Sequence, residues 1–327
     1  MPYAIRITQP GGPAQLAYDA IELTEPKAGE VLLKQTAIGV NYIDVYHRTG
    51  LYPQPSYPAG IGLEGAGIIE AVGEGVTRFK VGDRVAYCGG PIGGYATHRV
   101  MAAKHLVALP AGIEDDIAAS IMLKGLTVQY LLRRTASLQA GQTVLMHAAA
   151  GGVGLLFCQW AKHLGITVIG TVGSEEKAAI AKAYGCTHTI LYRKENFAKK
   201  VKDITQGKGV DVVYDSVGKD TALDSLDCLK PFGLLVSFGQ SSGPIPPLDL
   251  SLLSQKGSLY ITRPTLMHHL QDDAWYQSAS QELFALVEQG VLTPKIAAHY
   301  PLEQAASAHQ ALESRQTSGA LVLTVAI

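Results

Sequence analysis

Residues 142–165 carry the sharpest change of pattern in the chain. Val144, Leu145 and Met146 form an apolar run that predicts a buried strand, a cluster of small residues runs from Ala148 to Gly154, and Leu155, Leu156, Cys158 and Trp160 then mark an apolar helix. The alternation continues. Strands are predicted over Ile166–Val172, near His188–Tyr192, and over Val210–Asp215 and Leu234–Phe238, with helices over Glu175–Tyr184, Phe197–Thr205 and Thr221–Leu229. Strands alternating with helices predict an α/β fold, a doubly wound parallel sheet that binds ligands at the carboxyl ends of its strands.

Residues 1–120 have another texture, with short β-rich segments between glycines and prolines that predict a folded-over barrel, its first strand in the opening residues MPYAIRITQP. The sheet pattern ends near Arg263, and the polar stretch Gln271-Asp272-Asp273 reads as a crossing. A helix over Ser278–Gln289, a second over Ala305–Leu312 and a strand over Ala320–Val325 then return to the first domain. Two domains follow: residues 1–123 with 265–327, and residues 124–264. The cleft between them is the expected seat of cofactor and substrate. The strand over Ser258–Thr262 is an expected sheet edge, and unpaired edges invite a second copy.

Composition narrows the function classes. The 327 residues are 47% hydrophobic and 17% charged, with a formal net charge of −1, which lacks the basic footprint of a nucleic-acid binder. The longest apolar window, Thr143 to Ala161, contains His147, Gln159 and turn glycines and reads as a fold interior rather than a membrane span. Cys88, Cys158, Cys186 and Cys228 form no C-x-x-C pair. Neither a structural zinc nor a disulfide framework is expected, and the reading is a reduced, cytoplasmic enzyme.

The strand–turn–helix at 142–165 is suited to a pyrophosphate. Ala148, Gly151, Gly152, Val153 and Gly154 form a variant of the dinucleotide fingerprint, with glycines that let the backbone approach a phosphate at the positive end of a helix. A glycine-rich turn also serves close helix–sheet packing, and the flanking alternation is what favours a nucleotide. His147 reads as a buried strand-end histidine.

Several blocks then resemble one family. Gly62-Leu63-Glu64-Gly65-Ala66-Gly67, Val72-Gly73-Glu74-Gly75-Val76 and Phe79 to Val85, in order with the cradle, resemble the medium-chain dehydrogenase/reductase superfamily along nearly the whole chain. Ala37 to Asp44, Arg48 to Pro53, Leu123 to Thr127, Tyr214 to Gly218 and Ser237 to Gly239 are similar to its zinc-independent quinone oxidoreductases, the zeta-crystallin-like branch. The resemblance implies a Rossmann cofactor domain beside a GroES-like β-rich catalytic domain, and a homodimer built through the edge strand. Zinc-dependent members use a cysteine near Asn41 and a histidine near Leu63; here an amide and a leucine stand instead, and the cysteines of the structural zinc are missing. No metal is expected, and Glu64 reads as a hydrogen-bonded, partly buried carboxylate.

Without a metal to acidify an alcohol, the expected chemistry is hydride delivery to a quinone or an α,β-unsaturated carbonyl. The second strand ends Gly170-Thr171-Val172-Gly173-Ser174, with no acid for a ribose hydroxyl, and Glu175 and Glu176 read as first-turn helix residues. By resemblance Ser174, Lys177 and Tyr192 hold a 2′-phosphate, so NADPH is the expected cofactor. The resemblance also implies that Asn41, Tyr46, Tyr52, Lys124 and Thr127 line the reacting end, with Asn41 and Thr127 touching cofactor too. Lys124 reads equally as a helix-start lysine in a salt bridge. Ser216 and Gly218, with Phe238, Gly239 and Gln240, follow strand ends; Arg263 and Arg315 are placed near the cofactor by resemblance alone. Two competing readings are a reductase of conjugated carbonyls and a non-enzymatic nucleotide- or RNA-binding protein.

Overall fold

The computed structural model describes residues 1–325. The chain divides into two compact units: Met1–Leu126 with Leu270–Gly290 and the segment from Pro294 onward, and Thr127–His269 with Val291–Thr293. The sequence pattern sets its divisions after residues 123 and 264. The helix Asp115–Tyr130 is unbroken where the first division falls, and the His269 ring stacks on Tyr130 at 4.5 Å in the second unit. Neither feature leaves a mark in a hydrophobicity pattern. Among the described residues no helix is long and apolar enough to cross a membrane.

The second unit is built on a parallel sheet in the order His188–Leu191, Thr167–Val172, Thr143–Met146, Val210–Asp215, Leu229–Ser237, Tyr260–Thr262. The order reverses between Thr143–Met146 and Val210–Asp215, the switch point at which such sheets open a crevice. Leu145, Ile169, Ile190, Val213 and Leu235 are buried together with Phe197, Val201 and Leu226 of the covering helices. Val144, Met146 and Val168 are buried as well, so the middles of the central strands are apolar on both faces. The helix Gly152–His163 ends where Gly165 adopts a φ of 73°, a left-handed stop that glycine accepts without strain.

Three local differences from the sequence pattern have physical causes. The strand expected from Leu234 starts at Leu229, which confines the preceding helix to Ala222–Leu226. Phe232 takes a φ of 62° within Pro231-Phe232-Gly233, and the strand runs on through it. The strand expected from Ser258 starts at Tyr260, because Ser258 is itself left-handed at 55°. In the first unit, the helix expected from Ser278 starts at Asp273: Asp272 caps it, its carboxylate accepting from the Trp275 N–H at 3.1 Å.

The first unit centres on the strand Glu30–Val40, which pairs antiparallel with Glu64–Val72, His98–Ala102 and Ala320–Thr324. A smaller sheet joins Ala17–Ala20, Tyr3–Ile7 and Ala59–Gly60. Glu30–Val40 alternates half-buried and buried positions until its last residues, all buried, deliver the chain to the helix Tyr42–Thr49. Asp44 in that helix accepts the Asn41 N–H at 2.8 Å, as the acid of a capping box does.

A buried chain of hydrogen bonds holds this helix. Arg48, 1% exposed, donates to both Glu313 oxygens at 2.8 and 2.9 Å and to His309 Nδ1 at 2.9 Å. Arginine has only donors, so Nδ1 accepts and His309 Nε2 carries the proton. Nε2 then donates to the Tyr95 hydroxyl at 3.1 Å, and Tyr95 donates to Asp44 Oδ2 at 2.9 Å. Burial, and then the Arg48 charge, keep His309 neutral, with its pKa lowered to about 3.

Asp44 lies wholly inside the protein, and loss of solvent raises its pKa to about 7 against the pull of the Asn41 N–H, Tyr95 and Lys124. The raised value means the folded carboxyl holds its proton more tightly than the unfolded one. Its contribution to stability is therefore full below the unfolded value of 3.8 and is lost as pH rises through about 7. Asp44→Asn keeps an acceptor oxygen and buries no charge. Measured by thermal and urea unfolding, its stability relative to the parent rises from about pH 4 to about pH 8 by up to roughly 4 kcal/mol. A difference independent of pH contradicts this reading.

Candidate active site

The cradle follows from close backbone approach. The strand Thr143–Met146 ends at His147, which is fully buried and bridges Thr171 Oγ1 at 3.0 Å and Ser225 Oγ at 2.9 Å. Burial lowers its pKa, and both ring nitrogens are committed. Ala148 then turns at a φ of 53°, and its carbonyl accepts the Gly151 N–H at 2.9 Å. A Cβ at Gly154 would stand 2.4 Å from the Ala148 oxygen, so only glycine fits there. Gly152 and Val153 open the helix Gly152–His163, whose first-turn amides have no intrahelical acceptor and, with the helix dipole behind them, suit an anion.

At the end of the next strand, Ser174 caps the helix Glu175–Ala183, its hydroxyl accepting the Lys177 N–H at 3.3 Å. Lys177 is half-buried, and burial followed by the Arg193 charge lowers its pKa. A Cβ on Gly173 would lie 3.5 Å from the Tyr192 hydroxyl and 3.7 Å from Arg193 Nε. Ser174, Lys177 and Tyr192 thus gather at one strand end with Arg193, which the sequence reading missed. Its signal was available: a cation next to Tyr192 where no acid closes the strand.

Across the switch point, Asp215 organises the turn that carries Ser216 and Gly218. Fully buried, it accepts the Val217 and Gly218 N–H groups at 2.7 and 3.0 Å and the Thr221 hydroxyl at 2.8 Å. A Cβ on Gly239 would meet the Ser216 carbonyl at 2.9 Å, so these two backbones touch. Arg263 donates to Ser237 Oγ at 2.8 Å and to Gln240 Oε1 at 3.0 Å. Ser216, Phe238, Gly239, Gln240 and Arg263 therefore gather in the second unit. Arg315 belongs to the first unit, where it hydrogen-bonds the Tyr42 hydroxyl.

The first unit holds the other polar cluster. Glu64 is 0% exposed and accepts three hydrogen bonds: from Asn41 Nδ2 at 2.6 Å, the Leu123 N–H at 2.7 Å and Lys124 Nζ at 3.3 Å. Two expectations are corrected here. Glu64 is wholly rather than partly buried, and Lys124 lies well inside the helix Asp115–Tyr130, not at its start. The reason lies in Gly39, where a Cβ would stand 2.1 Å from the Ala119 carbonyl and 2.2 Å from Glu64 Oε2, so strand, helix and carboxylate meet only over a glycine. Tyr46 and Tyr52 pack edge to face at 5.2 Å, with Tyr42 5.9 Å from Tyr46. Thr127 is buried on the same helix as Lys124, within the second unit.

Two family models match the chain: an alcohol dehydrogenase GroES-like domain over residues 27–111 and a zinc-binding dehydrogenase over residues 152–282. The residues here do not fit a zinc ion. Asn41 offers a neutral amide rather than a thiolate, Leu63 is a buried hydrocarbon, and among the described residues no group of three or more His, Cys, Asp or Glu could hold a metal.

The quinone oxidoreductase of Pseudomonas aeruginosa is 54% identical over 96% of each chain, and the 2-haloacrylate reductase of a Burkholderia species is 46% identical over 99% of each. The crystal structure of the Escherichia coli quinone oxidoreductase complexed with NADPH matches at a TM-score of 0.97 and 47% identity, covering 98% of this chain and 99% of that one. With the phosphate cradle and the parallel sheet above, these matches establish that the chain belongs to the quinone oxidoreductase family of the medium-chain dehydrogenase/reductase superfamily.

Proposed function

We propose that the protein is an NADPH-dependent quinone reductase that works without a metal. The observation that carries this reading is the pairing of a glycine-gated cradle, closed to any side chain at Gly154, with a metal-free cluster of polar donors around Glu64. The cradle residues fit the cofactor. Gly151, Gly152, Val153 and Gly154 would hold its pyrophosphate, and Ser174, Lys177 and Tyr192, with Arg193, would hold its 2′-phosphate. Ser216, Phe238, Gly239, Gln240 and Arg263, with Arg315 of the first unit, complete the cofactor set in this reading. Bound NADPH supplies a hydride.

The protein's own part is to bind, orient and stabilise charge. Asn41 and Lys124 are hydrogen-bond donors for an oxygen on which negative charge develops, a role that zinc fills elsewhere. Tyr46 and Tyr52 give an aromatic wall with hydroxyl donors, and Thr127 completes the set with Asn41 at the cofactor side. A second reading, reduction of conjugated carbonyl or carboxyl compounds, is favoured by the haloacrylate-reducing relative at 46% identity. Both readings use the same donors.

The four thiols are free and buried, which fits a reduced compartment, and we read the enzyme as cytoplasmic. We also read it as a homodimer. Tyr260 and Ile261 on the edge strand are 61% and 38% exposed, and Phe232 is 69% exposed, an apolar fringe at a sheet edge suited to pairing with a second copy.

Three measurements test these statements. The purified protein oxidises NADPH with 1,4-benzoquinone faster than with 2-chloroacrylate; the reverse order favours the second reading. Lys177→Glu raises the apparent KM for NADPH by roughly tenfold or more, as loss of a charged hydrogen bond predicts, and leaves that for NADH nearly unchanged. Equal effects on both cofactors remove the 2′-phosphate assignment. Light scattering gives twice the chain mass of 34.7 kDa, and a single-chain mass at micromolar concentration excludes the edge-paired dimer.

A further inference from the structure

Reducing a quinone or a conjugated carbonyl requires a proton in addition to the hydride, and the proposed function leaves its donor unassigned. Four of the buried titratable groups of the first unit are poor proton donors to a substrate. His47 and His309 are neutral near neutral pH, burial lowering them to about 4 and about 3. Tyr95 has given its proton to a hydrogen bond with Asp44, and Tyr87 has given its own to Gln35 at 2.6 Å.

Lys124 differs from all of these. An ammonium has three N–H bonds. One points to Glu64 at 3.3 Å, and among the described residues Lys124 makes no other hydrogen bond, while its side chain stays 7% exposed. It is a cation that brings unspent protons to a nearly sealed site. Glu64 holds it there, and the same carboxylate oxygen, Oε2, takes the Asn41 Nδ2 donor at 2.6 Å. Two donors therefore converge from a strand end and a helix, because one buried carboxylate ties both.

We infer that Lys124 is the acid that protonates the reduced acceptor, and that Glu64 is the positioning residue that holds its ammonium beside the Asn41 amide. This rests on the reductase reading above. As the hydride's electron pair enters the acceptor, negative charge collects on its carbonyl oxygen. An Nζ–H bond of Lys124 breaks with its electrons left on nitrogen, and an O–H bond forms. Water reprotonates the amine, so each turnover consumes one NADPH and one proton.

The test uses Lys124→Ala, Lys124→Met, Glu64→Gln and the double replacement Glu64→Gln with Lys124→Met, in which neither charge remains. Turnover of NADPH with 1,4-benzoquinone is measured with and without ethylammonium, alongside NADPH affinity by fluorescence and thermal unfolding without cofactor. Lys124→Ala loses about 10²- to 10⁴-fold in kcat at nearly unchanged NADPH affinity, and ethylammonium restores part of the rate. Glu64→Gln lowers kcat with a smaller effect on KM. Each single replacement lowers the unfolding temperature more than the double one does, because a lone charge is then left buried.

A Lys124→Ala or Lys124→Met protein that folds, binds NADPH and turns over at the parent rate overturns the inference and leaves the reductase reading intact. So does a slowed Lys124→Ala protein that no amine rescues. Additive unfolding shifts overturn the positioning role of Glu64. A parent protein that binds NADPH but reduces no acceptor overturns the reading and the inference together.

Discussion

A carboxylate removed from water must be answered by donors, and much of the first unit is arranged to answer Glu64. Its partners come from three places: the side chain after the strand Glu30–Val40, a backbone N–H inside the helix Asp115–Tyr130, and the ammonium at the next helical position. Gly39 is the geometric condition for the meeting, since any side chain there would collide with both the helix backbone and the carboxylate. A side chain that begins as a problem of solvation thus becomes a device for aiming an amide and an ammonium. In the proposed reaction these N–H groups take the part that a Lewis acid would otherwise fill.

The second unit solves a complementary problem with backbone alone. At the switch point of the sheet, Ala148, Gly151 and Gly154 bring the chain close enough that the helix start faces outward. His147 and Asp215 brace the two strand ends by spending all or nearly all of their hydrogen-bonding capacity on neighbours. Buried polar residues at these points are explained by turns they hold, without recourse to chemistry on a substrate.

The parallel sheet was legible because its strands carry short apolar, β-branched cores that alternate with helices, and Val210–Asp215 was placed to the residue. Boundaries failed where a residue type spoke against its own conformation, as at Phe232 and Ser258, both left-handed without being glycine. The amide at Asn41 and the hydrocarbon at Leu63, where the resemblance implies zinc ligands, were plain in the sequence. Full burial of Glu64, the companionship of Arg193 with Lys177, and the path from Arg48 through His309 and Tyr95 to Asp44 were not. Arg48 and His309 stand 261 positions apart, and no periodicity links residues that only the folded chain brings together.

The central claim is that hydrogen-bond donors of the protein, with no metal ion, stabilise the charge that the proposed reaction creates. The most direct measurement is NADPH oxidation with 1,4-benzoquinone by protein dialysed against chelator, with metal content determined by elemental analysis on the same sample. The account predicts full activity at a metal content far below one ion per chain and no gain on adding zinc. Activity that disappears with the metal and returns with zinc would contradict it.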